Sequence, residues 1–270
     1  MTAVPPPSGA RQVEVWLLPA GVAVTGNVLD RVERDRAAAL PPDRAARFVA
    51  ARVLLRRVLA ARLGQAPADV RLDATCPECG RPHGRVRVLG GPSGGKHVSL
   101  SRSGPLTAVA LADGAEVGVD VEAEAAVTRA HLADVALTPA ELAAHDRLGV
   151  ERGPALARAW VRKEAVLKAL GCGLDVEPAR VELAGPDGPR LLPEPAGRGG
   201  RRPLPGAAGA GAGPRPGPLA VALADLAVGP GMAGAVALLG SGGVTVRTHD
   251  GAALVMTGAD REPSGGTGGP

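Results

Sequence analysis

A chain of 270 residues is long enough for one large domain or two small ones with a buried core, but two Trp, one Phe and no Tyr leave that core to small aliphatics. The net charge of +4 favours anionic partners without choosing among nucleic acid, small phosphate esters and an acidic protein. Three cysteines exclude a disulfide framework, and the chain has no long apolar run and no charged-then-apolar leader in M-T-A-V-P-P-P-S-G-A, so a soluble cytoplasmic protein with no membrane partner is expected.

Taken in order, Val13–Leu18 alternates and then turns apolar until Pro19 stops it, which predicts a first strand. Val28–Leu40 predicts a charged helix, interrupted by Pro41-Pro42. Asp43 is the expected cap of the next helix, whose inner face is Phe48, Val53, Leu54, Leu55, Val58 and Leu59. That helix also carries Arg44, Arg47, Arg52, Arg56, Arg57 and Arg62. For Arg56, Arg57 and Arg62 the expectation is a solvated basic face.

Cys76-Pro77-Glu78-Cys79-Gly80-Arg81-Pro82-His83-Gly84-Arg85 follows. C-x-x-C with a nearby His is half a zinc site, and P-E-C invites comparison with zinc deaminases, yet no H-x-E lies upstream. The remaining cysteine, Cys172, sits between the two glycines of a helix end, so a closed four-ligand set is not legible.

After a flexible link over Ser93–Lys96 comes His97-Val98-Ser99-Leu100-Ser101-Arg102-Ser103-Gly104, a strand and polar turn. Thr107–Ala112 reads as a buried strand that leads through Asp113-Gly114 into Val117-Gly118-Val119-Asp120-Val121-Glu122. The expected product is a hairpin with the serine-bearing turn and the carboxylate strand in one sheet. Valines alternate with Gly118, Asp120 and Glu122, so the two carboxylates share a face, roughly 7 Å apart along the backbone. That spacing lets both reach one hard cation, although a D-x-E at a strand end is commonly a solvated edge.

Ala130–Ala136 predicts a short helix. Thr138-Pro139-Ala140-Glu141 opens another with a capping box. His131 and His145 show no partners and read as structural or surface residues. Gly153-Pro154 is expected to break the chain before a helix over Leu156–Leu170 that Gly171 and Gly173 end. Leu156, Trp160, Leu167 and Leu170 form its apolar stripe, with Glu164 and Lys168 one turn apart along the edge. As a solvent ion pair, Glu164 and Lys168 contribute only a few tenths of a kcal/mol.

Leu174–Leu183 predicts a returning strand. Residues 185–218 collapse into Gly, Pro, Ala and Arg and are expected to be a disordered insertion. Leu219–Leu226 and Ala233–Leu239 bracket V-G-P-G-M as a closing hairpin, and the tail from about residue 248 is expected to be disordered. No repeat of 20 to 50 residues is visible.

G-V-D-V-E followed by W-V-R-K-E-A-V-L-K-A-L-G-C-G-L resembles the 4′-phosphopantetheinyl transferases, specifically their surfactin-type branch. The resemblance spans residues 13–240 and is sharp over Ser99–Glu122 and Trp160–Leu174. It implies an α+β fold of two similar halves related by a pseudo-twofold, 1–113 and 114–247, with the active site at their interface. It also implies transfer of phosphopantetheine from coenzyme A to a serine of an acyl or peptidyl carrier protein by a monomer.

The roles it implies are specific. Asp120, Glu122 and Glu164 would hold Mg²⁺, and Glu164 would serve as base with Lys168 neutralising phosphate charge. Lys163 and Asp120 would also meet coenzyme A. R-F-V-A-A-R resembles the family's early basic helix, which assigns Arg44, Arg47 and Arg52 to the 3′-phosphate. C-x-x-C-G-x-P-H-G resembles a stretch of bacterial members bordering the adenine, which assigns Gly84 and Arg85, with Val86 in place of the usual proline. Ser101 and Ser103 match a phosphate-binding turn in which Arg102 replaces histidine, and a guanidinium can hold phosphate at two points. The competing expectation is a zinc-containing nucleic-acid-binding module built on Cys76, Cys79, His83 and the arginine-rich helix. Scarce aromatics for base stacking weigh against it.

Overall fold

Strand β1 (Arg11–Pro19) buries Val13 and Val15 on one face and Trp16 and Leu18 on the other, so it runs through the interior rather than along a surface. The computed structural model describes residues 11–77, 79–90, 95–130, 132–183, 188–193 and 215–256. Helix α1 (Arg31–Ala38) is shorter than the expected span because Asp30 and Glu33 form a capping box at its start. Helix α2 (Pro42–Leu63) begins with Pro42 in its first turn and no side-chain cap, so the expected cap Asp43 lies inside the helix. Gly64 ends it in the left-handed conformation.

The short strands β2 (Leu72–Asp73) and β3 (Arg87–Val88) flank the cysteine loop, and β4 (Lys96–Ser103), β5 (Leu106–Asp113) and β6 (Val117–Ala123) follow. Helices α3 (Glu124–Arg129), α4 (Ala133–Ala136), α5 (Pro139–His145) and α6 (Arg152–Leu170) come next. Strands β7 (Val181–Glu182), β8 (Arg190–Leu191), β9 (Gly217–Pro218), β10 (Val221–Asp225), β11 (Met232–Leu239) and β12 (Val244–Asp250) precede the last described helix, α7 (Gly251–Met256).

The fold is mixed α+β, organised in four layers. Sheet β12-β1-β5-β4 carries α2 and α7 on its outer face, and sheet β10-β11-β6 carries α6 on its own. Between the sheets lie Val13, Val15, Ala108, Ala110, Val117, Val119, Val121 and Val236. Each fully buried Val adds about 1.5–3 kcal/mol relative to exposure, so a core of small aliphatics reaches stability by number rather than by aromatic anchors.

Several expectations change. β5 and β6 do not pair as a hairpin; they belong to different sheets. Serine hydroxyls on β4 bridge the gap instead: Ser99 Oγ accepts from Val119 N at 3.0 Å and Ser103 Oγ from Ala123 N at 3.3 Å. The tail is ordered through Met256, because β12 pairs parallel to β1 from Arg11↔Val244 to Leu17↔Asp250 and α7 covers the sheet. Residues 244–256 thus complete the sheet to which β1 belongs.

Gly153-Pro154 falls in the first turn of α6, where a proline is tolerated, rather than breaking the chain. The expected return strand is mostly 3₁₀ turns and shrinks to β7, which pairs with β8 from the Gly/Pro-rich stretch and buries Leu191 fully. Residues 184–187 and 194–214 of that stretch, and His131, lie outside the described residues. The closing hairpin forms as expected from β10 and β11. His145 is buried and its Nε2 donates to Arg152 O at 3.0 Å.

Arg56 and Arg57 are not on a solvated face. Arg56 is fully buried, donating from Nε to Glu33 Oε2 at 2.6 Å and from Nη2 to Asp30 Oδ2 at 2.7 Å, and Arg57 is buried against the α7 segment with Leu254 O at 3.4 Å. Arg62, 39% exposed at its side chain, pairs with Glu14. Elements on both sides of α2 turn Arg56 and Arg57 toward protein, and the capping acids of α1 neutralise Arg56. Among the described residues no helix is long and apolar enough to cross a membrane.

Candidate functional site

Strand β6 sends its valines into the inter-sheet core, which leaves Gly118, Asp120 and Glu122 facing α6. A Cβ at Gly118 would stand 1.9 Å from Ala165 O, so only glycine lets the α6 backbone lie directly on the strand. Because the helix sits that close, Glu164 and Lys168, one turn apart, come down beside the strand's carboxylates. The periodicity of two segments distant in sequence therefore produces one acidic cluster.

Lys168 Nζ donates to Asp120 Oδ1 at 2.7 Å and to Val119 O at 3.2 Å. Ser101 Oγ donates to the same Oδ1 at 2.7 Å, and Ser103 Oγ donates to Glu122. The other oxygen of Asp120, Oδ2, and Oε1 of Glu164 are buried and have no hydrogen-bond partner among the described residues. Burial, reinforced by the charges of Asp120 and Glu122 and opposed by Lys168, pushes the Glu164 carboxyl up to about 7. Burial likewise raises Glu122, against the Ser103 hydrogen bond.

Two buried, orphaned carboxylate oxygens, in a partly buried cluster of three acids and one ammonium, are the donor chemistry of a hard divalent cation. Asp120, Glu122 and Glu164 fit Mg²⁺ on that ground. They are spread more widely than Cys76, Cys79 and His83, whose ligand atoms all lie within 4.8 Å of one another.

The cluster forms one end of a cleft of about 400 Å³. Its other end is basic: Arg36, Arg52 and Arg102 stand with their guanidinium carbons 5.4, 5.3 and 5.9 Å from the centroid of the Phe48 ring. Loss of water lowers the Arg52 pKa, and repulsion from Arg36 and Arg102 adds to that against the attraction of Glu33. Glu33 is 3.7 Å from Arg52 Nε but is already engaged by Arg56, so the cluster keeps a surplus of positive charge. A multiply charged anion fits such a place.

Of the residues singled out in the sequence, the cleft gathers Arg52, Gly84, Ser101, Arg102, Asp120, Glu122, Glu164 and Lys168 along its walls. It does not gather the rest. Arg44 is exposed on the first turns of α2, and Arg47 lines a separate cavity of about 150 Å³ that shares Arg102. Arg85 pairs with Glu116 and donates to Ala169 O at 3.2 Å, lining an adjoining cavity of about 500 Å³ that shares Gly84 and Lys168 with the cleft. Lys163 is fully buried and ion-paired with Glu141, tying α6 to the capping box of α5.

Arg36 and Trp160 line the cleft without having been assigned to it. Arg36 carries no local signal, since α1 is charged all round and only the tertiary fold decides which arginine meets Phe48. The nucleic-acid expectation loses part of its basis here, because Arg52, Arg56 and Arg57 face protein rather than solvent. The cysteine loop stands at the rim of the cleft, and hydrogen bonding to Arg81 first, then to His83 and Cys76, pulls the Cys79 thiol down to about 6.

Residues 116–202, about a third of the chain, match the family model of the 4′-phosphopantetheinyl transferase superfamily. The matched segment contains all four members of the acidic cluster and none of the three cleft arginines. At that level the match supports phosphopantetheine transfer in general. A comparison with curated proteins found no match.

Proposed function

We propose that this chain transfers 4′-phosphopantetheine from coenzyme A to a serine of an apo acyl or peptidyl carrier protein, as a cytoplasmic monomer of the surfactin-type branch. The observation that carries the reading is one cleft with a half-buried carboxylate–lysine cluster at one end and a surplus of arginine charge at the other. Coenzyme A has matching anions: a diphosphate in the middle and a 3′-phosphate on the ribose. In support of the two-half arrangement, each main sheet bears one long helix on its outer face, α2 and α6.

In this reading Arg36, Arg52 and Arg102 hold the 3′-phosphate, while the loop at Gly84 borders the adenine. Asp120, Glu122 and Glu164 would hold Mg²⁺, which when bound supplies charge neutralisation on the diphosphate. Lys168 stands beside them and adds a positioned ammonium for the charge that builds on the departing phosphate. The carrier serine hydroxyl attacks the phosphorus that bears pantetheine, forming a new phosphoester as the diphosphate P–O bond breaks. Adenosine 3′,5′-bisphosphate leaves with the bond's electron pair. Glu164 takes the hydroxyl proton, directly or through a water. Ser101 and Ser103 keep the Asp120 and Glu122 carboxylates oriented.

Incubation with coenzyme A, Mg²⁺ and a panel of apo carrier domains, read by intact mass, tests the reading. A carrier should gain the mass of one phosphopantetheine group. If none in a broad panel is modified while a known transferase modifies them in parallel, the reading fails.

A further inference from the structure

We infer that Cys76, Cys79 and His83 form a zinc site that clamps the loop between β2 and β3. This inference stands apart from the transferase reading, since it uses none of the acidic cluster. Among the described residues, these three place their ligand atoms within 4.8 Å of one another, and Cys79 Sγ and His83 Nε2 are 2.9 Å apart. In a tetrahedral zinc site, bonds of about 2.3 Å to sulfur and about 2.0–2.1 Å to nitrogen put S and N roughly 3.5 Å apart. A small rotation of exposed side chains supplies the difference.

The backbone is already folded for such a site. Gly80 N donates to Cys76 O and Cys76 N to Arg81 O, both at 2.9 Å, which turns the chain back between the two cysteines. Gly80 sits at φ +69°, the left-handed conformation this turn needs. At Gly84 a Cβ would stand 2.6 Å from Thr75 O and 2.9 Å from the Cys76 backbone, so the two ends of the loop touch. Yet Cys79, Arg81, Pro82 and His83 are all exposed, and the flanking strands have two residues each. The cysteine-bearing tip is therefore held by backbone hydrogen bonds without an apolar core of its own, and three metal donors on that turn would add the cross-link it lacks.

Both cysteines are free, so no disulfide competes for them. Three protein donors leave a fourth position for water. Because His83 and Gly84 reach the cleft wall, the clamp would fix that wall.

Purified full-length protein, loaded with Zn²⁺ and desalted, should retain about one zinc per chain by elemental analysis. Cys79→Ser and His83→Ala should each lose most of it while circular dichroism stays unchanged, and Cys172→Ala should keep it. Removal of zinc from the wild type, with Mg²⁺ kept in excess, should speed amide exchange across residues 76–84 and leave α6 unaffected. Co²⁺ loading should give a thiolate charge-transfer band that Cys79→Ser abolishes. Wild-type protein that retains no zinc, or a Cys79→Ser variant that retains as much as wild type, would overturn the assignment.

Discussion

Lys168 Nζ and Asp120 Oδ1 lie 2.7 Å apart, joining helix α6 to strand β6 of the sheet it covers. The pair is more than a helix anchor, because Asp120 keeps a second buried oxygen that has no hydrogen-bond partner among the described residues. Replacing Lys168 with Ala leaves Asp120 bound by Ser101, so the fold should persist. Turnover should fall by about 10²–10³, the range for losing one donor aimed at developing charge. A drop confined to the KM for coenzyme A, with kcat intact, would count against its placement at the reacting phosphate.

The basic end of the cleft makes a different prediction. With Arg36 and Arg102 both changed to Ala, the KM for coenzyme A should rise while the KM for dephospho-coenzyme A, which lacks the 3′-phosphate, changes little. Equal losses on both substrates would show that these arginines serve something other than that phosphate.

Close approach of α6 to β6 depends on one missing side chain. Gly118→Ala puts a methyl 1.9 Å from Ala165 O and 2.7 Å from Ala169 N, contacts that only a shift of the whole helix relieves. Overpacking of this kind costs about 1–3 kcal/mol, and here the clash is with backbone, so urea unfolding should lie at the upper end of that range or beyond. Unchanged stability would mean that helix and strand are further apart than described.

Glu33 neutralises Arg56, whose side chain is 1% exposed, and caps α1 through Asp30. Glu33→Ala should destabilise the protein by about 3–5 kcal/mol because it leaves a buried charge short of its partner. A change below 1 kcal/mol in chemical denaturation would show that Asp30 alone suffices.

The acidic cluster fixes a pH dependence. Glu164 is raised from 4.5 to about 7 in the fold, so the folded state binds its proton more tightly than the unfolded chain does. The resulting stability is complete below the unfolded value and is lost as pH rises through about 7. Glu122, raised by the same burial, acts in the same sense. Metal-free protein should therefore melt at lower temperature at pH 8 than near pH 5.5, and added Mg²⁺ should restore more stability at the higher pH, where its ligands are ionised. Thermal melts with and without chelator check this, and a metal effect that is the same at both pH values would contradict it.

The central pairing was legible because both partners carry strict local periodicities: period two in Val117–Glu122, and a helical stripe that sets Glu164 and Lys168 on one edge. The apolar face of α2 and the capping box at Thr138 were legible for the same reason. What the sequence hid is non-local. β12 pairs with a strand at the other end of the chain, and such pairing leaves no signature in either segment. Arg56 looked like a surface residue because its acids, Asp30 and Glu33, lie on another helix. The bridging role of Ser99, Ser101 and Ser103 was masked by their likeness to a polar turn, since alternate hydroxyls on a strand are explained only by the neighbour they reach. Lys163, adjacent to Glu164, lies about 100° further round α6 and meets Glu141 instead of the cleft.

The most direct test of the account is carrier modification by Glu164→Ala in the presence of coenzyme A and Mg²⁺, scored by intact mass beside the wild type. The account predicts no modified carrier from a variant whose circular dichroism matches wild type, because one side chain supplies both a cation ligand and the base. Modification at a rate near that of wild type would contradict it.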